Sequence, residues 1–67
     1  MIVFDKLWVT MKEKGFTTYT LRVKCEIDSK LIQRLKKNMN VTTETLDKLC
    51  TILDCELHEI ATYKKSL

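Results

Sequence analysis

The sequence predicts an all-α domain of five helices, and three observations carry the prediction. One glycine and no proline in 67 residues, with 45% hydrophobic and 31% charged, is the composition of a compact helical unit without the turn residues a multi-stranded sheet needs. Apolar residues recur at i, i+3, i+4 and i+7, one face of a helix, in Phe4, Leu7, Trp8 and Met11 and again in Leu46, Leu49, Cys50 and Leu53. Between these stripes a local pattern occurs three times, in Phe16-Thr17 with Leu21, Ile27-Asp28 with Ile32 and Val41-Thr42 with Leu46. It is the hydrophobic staple: an apolar residue before a capping Thr or Asp packs on the fourth helical residue and sets the angle at which the chain enters the helix.

The first helix covers 3–14, with Asp5, Lys6, Lys12, Glu13 and Lys14 on its polar side. Trp8, the largest apolar side chain, is expected at the centre of the packing, and Gly15 is expected to end the helix as a left-handed cap. Lys12 and Lys14 suit the negative end of the helix dipole. The staples start a second helix over 18–24, a third over 29–38 and a fourth over 43–53. Only Cys25-Glu26-Ile27 links the second to the third. So short a link between two fixed entry angles makes the helices cross steeply and leaves the third projecting, which is helix-turn-helix geometry. The fourth helix, with Thr43, Glu44, Asp47 and Lys48 outside, supplies the hydrophobic floor. A fifth, from Cys55 or Glu56 to Tyr63, turns Leu57, Ile60 and Ala61 inward, and Lys64-Lys65-Ser66-Leu67 reads as a frayed tail. With no repeat, linker or low-complexity stretch, residues 1–67 read as one domain. A chain of this size buries only about 60% of its unfolded surface, so a self-association surface would help its stability.

The third helix carries the functional signal. Asp28 caps it, Leu31, Ile32 and Leu35 face inward, and Ser29, Lys30, Gln33, Arg34 and Lys37 stay outside. Residues 22–37 hold six basic and two acidic residues, a net of +4, while the rest of the chain holds six basic and seven acidic, a net of −1. Such a concentration is the electrostatic footprint of a protein that meets an acidic polymer; the plain alternative is a solvated face.

Other classes find little footing. No apolar run approaches the roughly 18 residues a membrane span needs, and Met1-Ile2-Val3-Phe4-Asp5 does not read as a signal peptide, so a cytoplasmic location is expected. Three cysteines without a CxxC pair indicate neither a disulfide framework nor a zinc site. Cys50, Cys55 and His58 lie close in sequence, yet Cys50 belongs to the core stripe and a fourth ligand is missing. With one histidine, no Ser-His-Asp or Cys-His grouping can be assembled, so no enzyme, cofactor or small-molecule ligand is expected.

The five-helix plan resembles the Cro/C1-type (XRE-like) helix-turn-helix family of small phage and bacterial repressors. The resemblance lies in Phe16-Thr17-Thr18, in Ile27-Asp28-Ser29-Lys30-Leu31-Ile32-Gln33-Arg34-Leu35-Lys36-Lys37-Asn38, and in Thr45-Leu46-Asp47-Lys48-Leu49-Cys50-Thr51-Ile52-Leu53-Asp54-Cys55 followed by Ile60. It covers essentially the whole chain and implies that the start of the third helix faces base edges in the major groove of double-stranded DNA, through Ser29, Lys30, Gln33 and Arg34. The chemistry agrees: Arg and Lys donate to guanine O6 and N7, and Gln pairs with adenine. Leu31 stands at the boundary between core and a thymine methyl contact. Phosphate contacts are expected from Thr17 and Thr18 at the start of the second helix and from Lys36, Lys37, Asn38 and Asn40 beyond the reading face. The chain departs from the family pattern at Arg22, where a small residue is usual, and at Glu26, where glycine is usual, so the turn is expected to be wider or strained. The resemblance to these repressors implies repression, and a homodimer on a palindromic operator is expected because one short helix reads only about half a site. Met1-Ile2-Val3 with Ile60 and Tyr63 either form that interface or close the core. The competing reading is a protein-binding module on the same fold: an antitoxin, an anti-repressor or a phage inhibitor of a host protein.

Overall fold

In the computed structural model, which describes residues 1–65, a two-residue strand β1 (Ile2–Val3) leads into α1 (Asp5–Glu13), α2 (Thr18–Val23), α3 (Ser29–Lys36) and α4 (Thr43–Leu53). A 3-10 turn over Leu57–Glu59 and a strand β2 (Thr62–Tyr63) complete the described chain. Phe4, Leu7, Met11, Leu21, Ile27, Ile32, Leu35, Leu49, Leu53 and Ile60 make one buried cluster to which every helix contributes.

All three staple caps form as the sequence predicts. Thr17 accepts from the Thr20 N–H at 3.1 Å, Asp28 Oδ1 from the Lys30 N–H at 2.9 Å, and Thr42 from the Thr45 N–H at 3.2 Å. Each cap gives a partner to a first-turn N–H that has none within the helix, which explains why the second, third and fourth helices start within a residue of expectation. All four helices are followed by a left-handed residue: Gly15 at φ 77°, Glu26 at 57°, Asn38 at 56° and Asp54 at 50°. After α1 the Phe16 N–H reaches back to the Met11 carbonyl and the Gly15 N–H to Lys12, the double closure of a Schellman motif.

Four features differ from expectation. The expected fifth helix is a single 3-10 turn, so among the described residues there are four α-helices and a small antiparallel sheet, in which Ile2 pairs with Tyr63 and Val3 with Thr62. Forming a new helix means fixing several residues for one hydrogen bond, and a segment this short gains more backbone partners by pairing with β1. Glu56 and Glu59 make a reciprocal capping box around the turn, and the buried Thr10 hydroxyl donates to the Glu59 carbonyl at 2.7 Å. Leu57, expected inside, is 52% exposed, whereas Ile60 is fully buried. The first helix starts at Asp5 because the β-branched Ile2 and Val3 are taken into the sheet. Trp8 packs half-buried against the core, and Leu7 occupies the fully buried position on α1.

Val3 and Ile60 close the core, while Met1, Ile2 and Tyr63 remain on the surface. In the expected tail, the Lys64 N–H donates to the Met1 carbonyl at 2.7 Å; Ser66 and Leu67 lie outside the described residues. Cys50 and Cys55 come together where α4 ends, the Cys55 N–H donating to the Cys50 carbonyl at 3.1 Å. Burial pushes the Cys55 thiol up, and the neighbouring Cys50 and Glu59 push the same way. Among the described residues, no three or more His, Cys, Asp or Glu side chains group as metal ligands, and no helix is long and apolar enough to cross a membrane.

Candidate nucleic-acid interface

α3 is anchored on one side and open on the other. Ile32 and Leu35 are buried and Leu31 is half-buried, so the helix is sealed to the body along one flank. With 3.6 residues per turn, Ser29, Gln33, Lys37 and Lys30 then fall together on the outward face, Gln33 at its middle, with Lys36 on the flank toward α2 and Arg34 on the opposite flank. All six of these residues are exposed.

The link between α2 and α3 bears out its expected strain. Glu26 holds the left-handed conformation that glycine adopts at little cost, and the Ile27 N–H reaches the Leu21 carbonyl, six residues back, at 3.0 Å. After the other helices the corresponding bond spans five residues, in Phe16 to Met11, Met39 to Arg34 and Cys55 to Cys50. α2 ends with a bond of that span as well, Cys25 N–H to the Thr20 carbonyl at 3.3 Å, so the Ile27 bond is a further closure across the turn. Arg22 does not wedge the helices apart. It is exposed, with its guanidinium carbon 5.9 Å from the centre of the Tyr19 ring.

The exit of α3 is tied down by the residues expected to meet DNA there. Asn38 Oδ1 accepts the Phe4 N–H at 2.8 Å, which satisfies the start of α1. Arg34 donates from Nε at 3.1 Å and from Nη2 at 3.0 Å to the Asn40 carbonyl, so its guanidinium is tied to the segment that follows its own helix. Lys36 and Lys37 stand exposed beside this exit. At the other end, the Thr17 hydroxyl is engaged in capping α2 and also bonds Thr20 Oγ1 at 3.0 Å.

Thr18 is brought to the flank of α3. With Tyr19 and Arg22 it forms the α2 side of a surface depression whose α3 side is Ser29, Gln33 and Lys36 over Ile32. Tyr19 and Arg22 were not among the expected site residues. Their signal in the sequence is slight: an i, i+3 pair straddling Leu21 on a helix of six residues. Leu31 lines a separate hollow on the opposite flank with the carboxylates of Glu26, Asp28 and Glu44 and the ammonium of Lys48.

A short helix sealed by its apolar flank and presenting donors and cations outward, backed by a second capped helix across a tight turn, defines a small helical nucleic-acid-binding domain in the structural sense. The sequence model for the Cro/C1-type HTH DNA-binding domain matches residues 6–66, and the chain belongs to that family. No curated protein matches the chain. Among solved structures, the fold is similar to that of the transcriptional regulator VanUg (crystal form II), with a TM-score of 0.82 and 24% sequence identity over 91% of this chain and 81% of that one.

Proposed function

We propose that the protein is a sequence-specific, double-stranded-DNA-binding transcriptional regulator, acting as a repressor. In this reading α2 and α3 are the helix-turn-helix, and the segment 29–38 enters the major groove. The observation that supports it best is the outward face of α3, where Ser29, Lys30, Gln33 and Lys37 stand exposed together while Ile32 and Leu35 hold the helix rigidly in the core. Gln33 pairs with adenine from the middle of that face and Lys30 donates to guanine, each good contact discriminating by about 1–3 kcal/mol. Ser29 reads beside them, and Arg34 reads from the flank once its guanidinium turns from the Asn40 carbonyl. Thr17, Thr18, Lys36, Lys37, Asn38 and Asn40 surround this face and take phosphates, Asn38 through its amide NH2 because Oδ1 is engaged. That the similar fold of VanUg belongs to a transcriptional regulator agrees with the reading.

A homodimer on a palindrome completes it, with the protein working in the cytoplasm where its DNA is and binding rather than catalysing. The exposed Met1, Ile2 and Tyr63 supply an apolar surface for pairing. Selection from a randomised duplex pool tests the whole: the expected product is a palindrome whose half-sites lie about one helical turn apart. In the same selection, Gln33→Ala relaxes one position in each half-site. A folded protein that enriches nothing is instead the protein-binding module.

A further inference from the structure

The depression between α2 and α3 has a composition that reading of bases does not explain. Among the described residues its charges are the two cations Arg22 and Lys36, one from each helix; no carboxylate lines it, and Thr18 and Ser29 add hydroxyl donors. Two like charges facing one hollow repel each other in the free protein, and an anion seated between them relieves that repulsion. Arg22 is also held in place beforehand. Its guanidinium lies 5.9 Å from the Tyr19 ring centre, within the range at which a cation is attracted to an aromatic face, so less side-chain freedom is lost when an anion arrives.

We propose that this depression is an oxyanion site that takes one backbone phosphate of the duplex, held by Arg22 from α2 and Lys36 from α3, with Tyr19 as the positioning residue for Arg22. The assignment rests on the DNA-binding reading. The position suits a phosphate, because the two cations meet on the flank of α3 toward α2, with Gln33 and Ser29 at the border between the hollow and the outward face and Lys30 outside it. A contact shared by both helices fixes the depth and rotation of α3 in the groove. It also gives Arg22 a role at the position where the family usually carries a small residue.

The experiment is duplex binding by anisotropy between about 50 and 200 mM salt, on the selected site and on an unrelated duplex. Arg22→Ala is expected to weaken both duplexes by the same factor and to reduce the slope of log K against log salt by about 0.9, one phosphate's worth. Tyr19→Ala reproduces part of the loss, and Tyr19→Phe restores wild-type behaviour, since the ring face is what positions the guanidinium. Both residues are exposed, so the variants keep the fold, checked by circular dichroism. An unchanged slope in Arg22→Ala, while Gln33→Ala still loses specificity, overturns the phosphate site and leaves the DNA reading standing. Loss confined to the selected duplex makes Arg22 a base reader and also overturns it. If the wild type binds no duplex, the DNA reading fails by itself and titration with inorganic phosphate followed by NMR decides the site. Saturable shifts at the Arg22 side chain and the Ser29 amide, absent in Arg22→Ala, support an oxyanion site for a free phosphate; their absence overturns it.

Discussion

Asn38 does two structural jobs at once, and three substitutions separate them. It holds φ 56° where α3 ends, and its Oδ1 takes the Phe4 N–H at 2.8 Å across 34 residues of sequence. Asn38→Gly keeps the left-handed backbone at little strain but orphans a partly buried N–H, a loss of about 1–2 kcal/mol. Asn38→Ala orphans the same group and replaces a residue type that tolerates the left-handed region by one that does not, about 1 kcal/mol more, a loss of about 2–3 kcal/mol. Asn38→Asp keeps an acceptor and a residue type that tolerates this backbone, and loses less than either. The whole domain of 67 residues, at about 0.05–0.15 kcal/mol per residue, holds about 3–10 kcal/mol, so the alanine variant loses a large share of it. Urea unfolding followed by far-UV circular dichroism reads the series. With m near 1 kcal/mol/M for so small a protein, the midpoint falls by about 1–2 M for glycine and about 2–3 M for alanine. Equal midpoints for Gly and Ala refute the backbone half of the reasoning. A glycine variant as stable as wild type refutes the hydrogen-bond half, and if such a variant still lost DNA affinity, the residue would belong to the phosphate contacts alone.

Two further outcomes follow from the turn and the thiol pair. Glu26→Gly removes a side chain held at φ 57°, relieving about 1–2 kcal/mol of strain against about 0.4–1 kcal/mol of added unfolded-state freedom. The variant is expected to unfold at a urea midpoint about 0.5–1 M higher, with no gain in Glu26→Ala, and a midpoint at or below wild type contradicts the strain. The raised Cys55 thiol means that the folded state binds its proton more tightly than the unfolded chain does. Its contribution is therefore complete below the ordinary thiol range near about 8.5 and is lost as pH rises from there through the folded value. Urea midpoints compared at neutral and alkaline pH should fall further for wild type than for Cys55→Ala; equal falls rule the coupling out.

The parts of this fold that are legible in the sequence are those settled within a few residues. Thr17, Asp28 and Thr42 each act on an N–H two or three positions away, so their role needs no knowledge of the rest of the chain. The outward face of α3 is legible for the same reason, since periodicity alone places Ser29, Lys30 and Gln33 opposite Ile32 and Leu35. The strand pairing of Ile2 with Tyr63 is not, because two residues show no alternation and the partner lies at the other end of the sequence. Without that pairing in view, the periodicity of Leu57, Ile60 and Ala61 reads as a helix. The same limit divides the candidate site. Arg34 looks free until the path of the chain after α3 brings the Asn40 carbonyl back to it, and Asn38 looks free until α1 arrives. Arg22 looks misplaced until α3 is set beside it, because α2 alone buries only Leu21 and has no second face to define. A reading face belongs to one helix and can be seen in one stretch of sequence. A site between helices belongs to the angle between them, and here the helices are joined through Glu26 in the left-handed region, one of the two positions at which the sequence departs from its family.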